Sequence, residues 1–407
     1  METVWSQHFS QSIQNVTSSI IRDLLHLTQR PSVISFGGGL PAPECFPVED
    51  IQAATEQILI EDPLVALQYG PTEGYQPLRE LIAVHMQNLG AFVSAEQIQI
   101  TTGSQQALDL LGRLMIDPEA PVLVEDPTYL GALQAWRTHN PRFITVPVDE
   151  EGLDVAYLER LLAEGVRPRF LYVMSSFQNP TGVTMSLARR QTLIEVISRY
   201  HLPVIEDDPY GELYFSGQRA TPLAALDVAY NGTLRHVAYL SSFSKLLSPG
   251  MRVGWVAAPP ELLGKLAHLK QGIDLHTSSL SQATVYVACR DGLLERHVPT
   301  IRDIYRRRRD VMMQTLAQTM PAGVRWTEPD GGMFVWLTLP RYFDTTALLR
   351  TALDYDVAFV PGTCFYANSG GDNTLRLNFS QPSPDQIREG IGRLGKMMQA
   401  LVRDKAA

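Results

Sequence analysis

The chain has 407 residues, of which 45% are hydrophobic and 19% are charged, and its formal net charge is −9. A chain of this length exceeds one typical core, so two domains are expected, and the composition is that of a globular protein. The acidic balance argues against nucleic acid as a main partner, because phosphate backbones need a basic face. The basic run at residues 306–309 lies in a charge-rich helical stretch and is better explained as a solvated helix face.

The cysteine pattern and the amino terminus exclude further classes. Cys45, Cys289 and Cys364 are widely spaced and show no metal-ligand spacing, so neither a disulfide framework nor a metal site is expected. Residues 1–19 are polar and lack the apolar core of a signal peptide. No apolar run approaches the ~20 residues that span a bilayer. The sequence therefore predicts a cytoplasmic protein without a membrane partner.

Taken in chain order, the predicted elements begin with a helix at about residues 16–28 and a glycine-rich segment at 37–41. From about residue 75 to 290, helical segments alternate with short apolar runs that lack a period of two, which is typical of a mostly parallel sheet covered on both faces. These predicted strands are residues 97–100, 121–124, 170–174, 203–205, 237–240 and 253–257. After about residue 300, a long charged helix leads into strand-like residues 333–339 and 375–379.

This change of pattern predicts the domain organisation. We expect an amino-terminal helix and arm over residues 1–45, which belongs to the smaller domain. A large α/β domain follows over residues 46–300, and a smaller α+β domain completes the chain over 301–407. No internal repeat or low-complexity segment appears.

Polar turns follow five of the predicted strands. They are residues 101–105, 125–129, 175–182, 206–210 and 241–245. Ligands of open α/β sheets bind outside the carboxyl ends of the strands. The five turns therefore predict one shared site.

The turn at residues 241–245 carries the most specific chemistry. Lys245 lies at the end of a buried strand, where its amine loses hydration, which lowers the pKa and makes the amine a usable nucleophile. The hydroxyls of Ser242 and Ser244 and the cation of Arg252 are suitable phosphate ligands. Together these groups indicate a Schiff-base site for a phosphorylated aldehyde, which is pyridoxal phosphate.

Two other readings of this lysine are open at this point. Most isolated lysines are solvated surface residues. Ser242 and Lys245 also match the Ser-x-x-Lys signature of serine acyl-enzymes, but the Ser-Asp-Asn and Lys-Thr-Gly tripeptides of that family are absent.

Other turns offer complementary groups. Ser104 and Gln105 precede a predicted helix at 106–114, whose positive end is an anion site, although a plain serine cap fits equally well. Asp207 ends a buried strand, where an unpaired carboxylate is costly, and it would keep a pyridinium nitrogen protonated. Alternatively, Asp207 is an ordinary turn aspartate, and Asp208 is the other candidate for the residue that pairs with the ring nitrogen.

Three more polar side chains are candidates in these turns. Asn179 and Tyr210 can donate hydrogen bonds to a ring oxygen, or they form an ordinary turn and a half-buried tyrosine. Tyr129 can stack on a flat ring or fill core space.

At this point the chain resembles the class I aminotransferases that have the aspartate-aminotransferase fold, and within them the 2-aminoadipate and kynurenine aminotransferase branch. The resemblance covers about residues 15–400. The similar segments are residues 34–41, 68–75, 101–111, 176–182, 206–210, 242–254, 331–336 and 374–380. It implies a fold type I pyridoxal-phosphate enzyme, with a mostly parallel sheet of the seven-stranded type and a smaller α+β domain.

The resemblance also implies a role for each matching residue. Lys245 would bind the cofactor aldehyde and move the substrate α-proton, Asp207 would pair with the ring nitrogen, and Tyr129 would stack on the ring; these three are the catalytic candidates. Asn179 and Tyr210 would hold the ring oxygen. The phosphate ligands would be Ser104, Gln105, Ser242, Ser244 and Arg252, with Tyr69 reaching the neighbouring subunit of a homodimer.

Substrate recognition is implied in the same way. Arg376 would bind the α-carboxylate, a task that suits a planar guanidinium, with Asn179 and Gly39 beside it. The amino-terminal helix would act as a lid, and Arg22 on it would meet a distal carboxylate, although helical periodicity alone favours a solvated charge. The other pocket candidates are Leu40, Tyr129, Phe365 and Tyr366. We expect 2-aminoadipate, glutamate, leucine-like or aromatic amino acids as substrates, with 2-oxoglutarate as the acceptor.

Two alternatives to transamination are kept open. A pyridoxal-phosphate lyase or decarboxylase on the same fold would have similar cofactor ligands. An amino-acid-sensing relative of transcription regulators is disfavoured, because only ~30 residues precede the segment at 37–41, which is too few for a DNA-binding domain.

Overall fold

The structure is a computed structural model that describes residues 4–14 and 32–406. The predicted helix at residues 16–28 and its Arg22 lie outside the described residues. The described α-helices are α1 (Gln11–Gln14), α2 (Val48–Glu61), α3 (Pro63–Leu67), α4 (Gln76–Asn88), α5 (Ser104–Met115), α6 (Leu130–Arg137), α7 (Val155–Ala163), α8 (Leu187–Tyr200), α9 (Leu223–Asn231), α10 (Pro260–Gln271), α11 (Ser279–Arg290), α12 (Leu293–Thr319), α13 (Thr345–Asp354) and α14 (Pro384–Ala406).

The described strands form a large sheet and two smaller ones. They are β1 (Ile34–Ser35), β2 (Ile98–Thr101), β3 (Pro121–Asp126), β4 (Arg142–Asp149), β5 (Gly152–Leu153), β6 (Leu171–Val173), β7 (Val204–Asp207), β8 (Val237–Ser242), β9 (Gly254–Ala257), β10 (Arg325–Trp326), β11 (Phe334–Thr338), β12 (Val357–Ala358), β13 (Val360–Pro361) and β14 (Thr374–Asn378).

The large sheet has eight described strands in the order β2-β9-β8-β7-β6-β3-β4-β5. The pairs from β8 through β4 are parallel, whereas β9 is antiparallel to both β2 and β8, and β5 is antiparallel to β4. β2 therefore points in the same direction as β8. The carboxyl ends of β2, β3, β6, β7 and β8 consequently share one edge of the sheet, as the mostly parallel prediction requires.

Alternate residues of the central strands enter two hydrophobic cores on opposite faces of the sheet. Val122 and Val124 of β3 pack into one core, and Leu123 between them packs into the other. Because both faces are covered by helices, apolar residues occupy consecutive positions. This two-sided burial explains why the strands showed no period of two in the sequence.

The smaller sheets lie in the second half of the chain, apart from β1. An antiparallel sheet has the order β10-β11-β14-β13, and its register places Trp336 opposite Arg376. A parallel pair, β1 and β12, ties the amino-terminal arm to residues 357–358. The helix α12 runs across residue 300 without interruption and packs against α14. The domain limits at residues 45 and 300 stay a prediction.

One glycine in a crowded position and one in an open position allow this packing to be tested by substitution. A Cβ on Gly254 of β9 would lie 2.9 Å from backbone atoms of residues 103 and 104, which cannot rotate away. Gly254→Ala should therefore lower the free energy of unfolding by ~1–3 kcal/mol. Gly264 of α10 faces open space, so Gly264→Ala should raise it by up to ~1 kcal/mol. Thermal unfolding of the cofactor-free protein measures both changes, and a higher melting temperature for Gly254→Ala would contradict the packing described here.

Candidate active site

A cavity of about 440 Å³ lies at the shared carboxyl edge of the large sheet. Each of the five polar turns contributes at least one side chain to its wall. The predicted residues that line it are Gly39, Leu40, Ser104, Gln105, Tyr129, Asn179, Asp207, Tyr210, Ser242, Ser244, Lys245, Arg252 and Arg376. The structure thus brings together residues that are far apart in the chain.

Lys245 projects into this cavity from the turn after β8. Its Nζ donates a hydrogen bond to the carbonyl oxygen of Gly39 at 2.9 Å, and no described carboxylate pairs with it. Burial lowers the pKa of Lys245 to about 8, and the positive charges of Arg376 and Arg252 add to the effect. A substantial fraction of the amine is therefore neutral and nucleophilic near neutral pH.

Asp207 is the last residue of β7 and is buried at the floor of the cavity. Its Oδ2 accepts a hydrogen bond from the hydroxyl of Tyr172 at 2.8 Å, whereas its Oδ1 has no partner among the described residues. Burial raises the pKa of Asp207 to about 7, with a hydrogen bond from Tyr172 opposing and the charge of Asp208 assisting. The orphaned oxygen fits a protonated ring nitrogen, whose charge would offset this cost.

Asp208 does not compete for that role. Its Oδ2 accepts a hydrogen bond from Arg219 at 2.7 Å and another from the hydroxyl of Tyr239 at 3.2 Å. Because strand side chains alternate between faces, Asp208 points away from its neighbour Asp207. Of the two aspartates that the sequence offers, Asp207 is therefore the one that lines the cavity.

The opposite end of the cavity suits a phosphate. Gly103 precedes α5 in a left-handed conformation (φ 73°), and no described side chain caps this helix, so its first N–H groups are free for an anion. A Cβ on Gly103 would lie 2.6 Å from the guanidinium of Arg252, so glycine permits this close approach. The hydroxyl of Ser242 bonds that of Ser244 at 2.8 Å on the same wall. Helix end, hydroxyls and guanidinium together form an anion cradle.

Tyr129 lies at the amino end of α6, and its ring folds back over that helix. A Cβ on Gly131 would lie 2.4 Å from the ring, so this glycine makes room for the tyrosine. The ring borders the cavity rather than the bulk core. A flat ligand could therefore stack against it.

Arg376 of β14 is buried beside Lys245 without a carboxylate partner among the described residues. Its guanidinium donates to the side-chain oxygen of Asn179 at 2.8 Å and to the carbonyl of Gly37 at 2.9 Å. The rings of Phe334 and Phe365 lie 4.2 and 5.0 Å from it. Burial lowers the pKa of Arg376 to about 10, which leaves it charged at neutral pH. The cation is held in place by neutral groups and is available to an anionic ligand.

Some predicted residues lie outside the cavity wall. Tyr69 is 78% exposed and borders a separate apolar hollow with Leu64 and Pro71. Tyr366 and Phe365 do not line the cavity, although the ring of Phe365 lies 5.0 Å from the guanidinium of Arg376. A larger open cleft of about 780 Å³ elsewhere contains none of the predicted site residues.

Tyr172 and Phe334 contact predicted site residues but were not singled out by the sequence. Tyr172, which orients Asp207, was hidden inside an apolar strand, where only its hydroxyl signalled a buried partner. Phe334, which lines the cavity and covers Arg376, lay within the predicted strand 333–339 and carried no distinguishing signal.

Neither a membrane span nor a metal cluster is found in the described part of the chain. Within residues 4–14 and 32–406, no helix is both long and apolar enough to cross a bilayer. The same described residues contain no cluster of three histidine, cysteine or acidic side chains that could hold a metal ion.

Comparison with known proteins assigns the family. The family model for aminotransferase class I and II matches residues 33–394. A 2-aminoadipate transaminase of Thermus thermophilus is 48% identical over 98% of each chain. An aromatic-amino-acid aminotransferase of Thermococcus litoralis is 44% identical over 97% of this chain and 95% of its own. The crystal structure of LysN, an alpha-aminoadipate aminotransferase from T. thermophilus complexed with N-(5'-phosphopyridoxyl)-L-leucine, superposes with a TM-score of 0.92, at 45% identity over 98% of this chain and 100% of that one.

The chain belongs to the class I and II aminotransferases. It is an enzyme of the aspartate-aminotransferase fold, and its cofactor is pyridoxal 5'-phosphate. The orphaned oxygen of Asp207, the unpaired amine of Lys245 and the uncapped end of α5 fit the ring nitrogen, aldehyde and phosphate of that cofactor.

The lowered pKa of Lys245 gives a pH prediction. Only the neutral amine attacks an aldehyde, so the rate at which cofactor-free protein captures pyridoxal phosphate should rise with pH through a midpoint of about 8. Stopped-flow absorbance from about pH 7 to about pH 10 measures this profile.

Matched variants sharpen the pH test. Arg376→Met removes a positive charge near the amine and should move the midpoint upward, whereas Lys265→Met, on the exposed face of α10, should leave it unchanged. A wild-type midpoint near 10.5, the ordinary value for lysine, would contradict the description of the site.

Proposed function

We propose that this aminotransferase moves an amino group between glutamate/2-oxoglutarate and a second pair, formed by 2-aminoadipate or by a leucine-like or aromatic amino acid and its 2-oxo acid. The observation that carries the proposal is Arg376, a buried cation with no described carboxylate partner, in the same cavity as the nucleophilic Lys245. Every amino acid and 2-oxo acid has a carboxylate beside the reacting carbon, and a fixed guanidinium binds it bidentately.

The cofactor supplies the electron sink that transamination requires. Lys245 would hold it through its amine and, when that amine is free, would remove the α-proton of the substrate, a task that suits an amine with a pKa of about 8. Asp207 would keep the ring nitrogen protonated, and Tyr172 fixes the orientation of its carboxylate. Tyr129 would offer its ring face to the cofactor.

The remaining cavity residues bind and orient. The phosphate group of the cofactor would be held by Ser104, Gln105, Ser242, Ser244 and Arg252. Asn179 accepts from Arg376, and it lines the cavity together with Tyr210, so one amide lies between the carboxylate site and the ring-oxygen site. Gly39 leaves space next to Lys245 and Phe334.

The enzyme is proposed to act as a homodimer. Leu64, Leu67 and Tyr69 are 75, 70 and 78% exposed on neighbouring turns of one surface. An apolar surface of this kind is typical of a protein contact. A second copy placed there would receive Tyr69 near its phosphate site.

The range of second substrates follows from the cavity wall and from the relatives. The wall near Arg376 is formed by Leu40, Tyr129 and Phe334, which accept apolar or aromatic side chains. A dicarboxylic substrate needs a further cation, and Arg22 remains the candidate. The relatives are named for 2-aminoadipate and for aromatic amino acids, and the LysN adduct contains leucine.

Half-reactions test the substrate proposal. The purified enzyme is mixed separately with 2-aminoadipate, glutamate, leucine and phenylalanine, and loss of the visible cofactor band is followed together with release of the matching 2-oxo acid. Glutamate should convert the enzyme, as should at least one of the other three. Formation of carbon dioxide or an elimination product instead of the oxo acid would favour a decarboxylase or lyase, and no conversion with any amino acid would favour a sensor.

Arg22→Ala separates the two substrate types. The rate constant should fall by about tenfold or more for glutamate and 2-aminoadipate, as expected for a lost charged hydrogen bond, and should change little for leucine. Equal losses for 2-aminoadipate and leucine would remove Arg22 from the specificity role.

A further inference from the structure

An ion pair between the buried Lys270 and the more exposed Asp274 lies behind the phosphate end of the cavity and does not line it. Lys270, near the end of α10, has a fully buried side chain. Its Nζ donates to both carboxylate oxygens of Asp274 at 2.8 Å and to Oε1 of Gln106 at 2.8 Å. All three donor positions of the ammonium are therefore used.

The partners of Lys270 in turn hold a short loop. Gln106 donates through Nε2 to Asp274 Oδ2 at 2.7 Å and accepts from the backbone N–H of Thr102 at 2.8 Å. The hydroxyl of Thr102 donates to the same carboxylate oxygen at 3.0 Å. Burial alone would raise the pKa of Asp274, but the hydrogen bonds from Lys270, Gln106 and Thr102 and the charge of Lys270 outweigh it and lower the pKa, so this carboxylate is ionised at neutral pH.

The fixed loop is the one that carries phosphate ligands. Ser104 and Gln105 lie between the two tethered residues, Thr102 and Gln106. Arg252 donates to the carbonyl oxygen of Thr102 at 3.3 Å. The backbone of the loop therefore also fixes the position of the guanidinium. One network therefore fixes the start of α5 and the position of Arg252.

We propose that Lys270 and Asp274 are positioning residues that hold the loop 102–106 in the geometry that binds the cofactor phosphate. The inference rests on the proposed role of this loop as the phosphate site. Neither residue lines the cavity, so both act through Gln106, Thr102 and Arg252.

A purely structural ion pair is the alternative. An ion pair with one solvent-accessible partner contributes little to stability, so stability by itself gives no reason for this pair. The two interpretations differ in what they predict for a ligand with a phosphate and for one without it.

The test compares binding of pyridoxal 5'-phosphate with binding of pyridoxal, which lacks the phosphate, to the cofactor-free full-length protein. Lys270→Met should raise the dissociation constant of pyridoxal 5'-phosphate by about tenfold, as expected for displaced charged hydrogen bonds, and should change that of pyridoxal by less than about twofold. Lys265→Met, on the exposed face of the same helix, is the matched control and should change neither.

Asp274→Asn is measured alongside. It keeps the size of the side chain and leaves the hydrogen bond between Lys270 and Gln106 possible, so it carries the same expectation if Lys270→Met does not fold. The proposal would be overturned if a folded variant bound both ligands as tightly as the wild type does, or if its affinity fell by the same factor for pyridoxal 5'-phosphate and for pyridoxal. No amino acid is present in this experiment, so it can fail while the half-reaction test succeeds, and the reverse also holds.

Discussion

Three buried ionisable groups share one cavity, and none of them pairs with an opposite charge among the described residues. Asp207 lacks a cation, and Lys245 and Arg376 lack a carboxylate. Burying unpaired charges is costly, and the cost is offset only when a ligand brings the complementary groups. A pyridinium would pair with Asp207, an aldehyde would react with Lys245, and a carboxylate would bind Arg376. The other residues of the site keep these three side chains in place.

Two other buried charged groups near the cavity are paired, which makes the contrast informative. Asp208 is bonded by Arg219, and Lys270 is bonded by Asp274. Asp208 follows Asp207 directly in the chain, and Lys270 lies behind the phosphate loop. The charges of these two pairs are compensated within the fold, whereas Asp207, Lys245 and Arg376 in the cavity wall are free for cofactor and substrate.

Much of this could be predicted from the sequence because the central sheet is buried on both faces. Continuous apolar runs marked six strands of the large sheet, and the polar turns after them marked the edge where ligands bind. The prediction missed β4, whose residues are only partly buried, so its apolar signal was weak. It also missed Phe334 over Arg376, because that contact depends on the register between β11 and β14, which no local pattern shows. The roles assigned to Tyr69 and Arg22 depend on a second subunit and on residues outside the described ranges, respectively.

Cofactor chemistry in this site depends on the unpaired carboxylate of Asp207, which would keep the ring nitrogen protonated. Nitrogen NMR of enzyme reconstituted with pyridoxal 5'-phosphate labelled with ¹⁵N in the ring measures this directly at neutral pH. The structure predicts a protonated nitrogen in the wild-type enzyme and an unprotonated one in Asp207→Asn, which removes the negative charge and preserves the shape. An unprotonated nitrogen in the wild-type enzyme, or the same resonance in both proteins, would contradict the account.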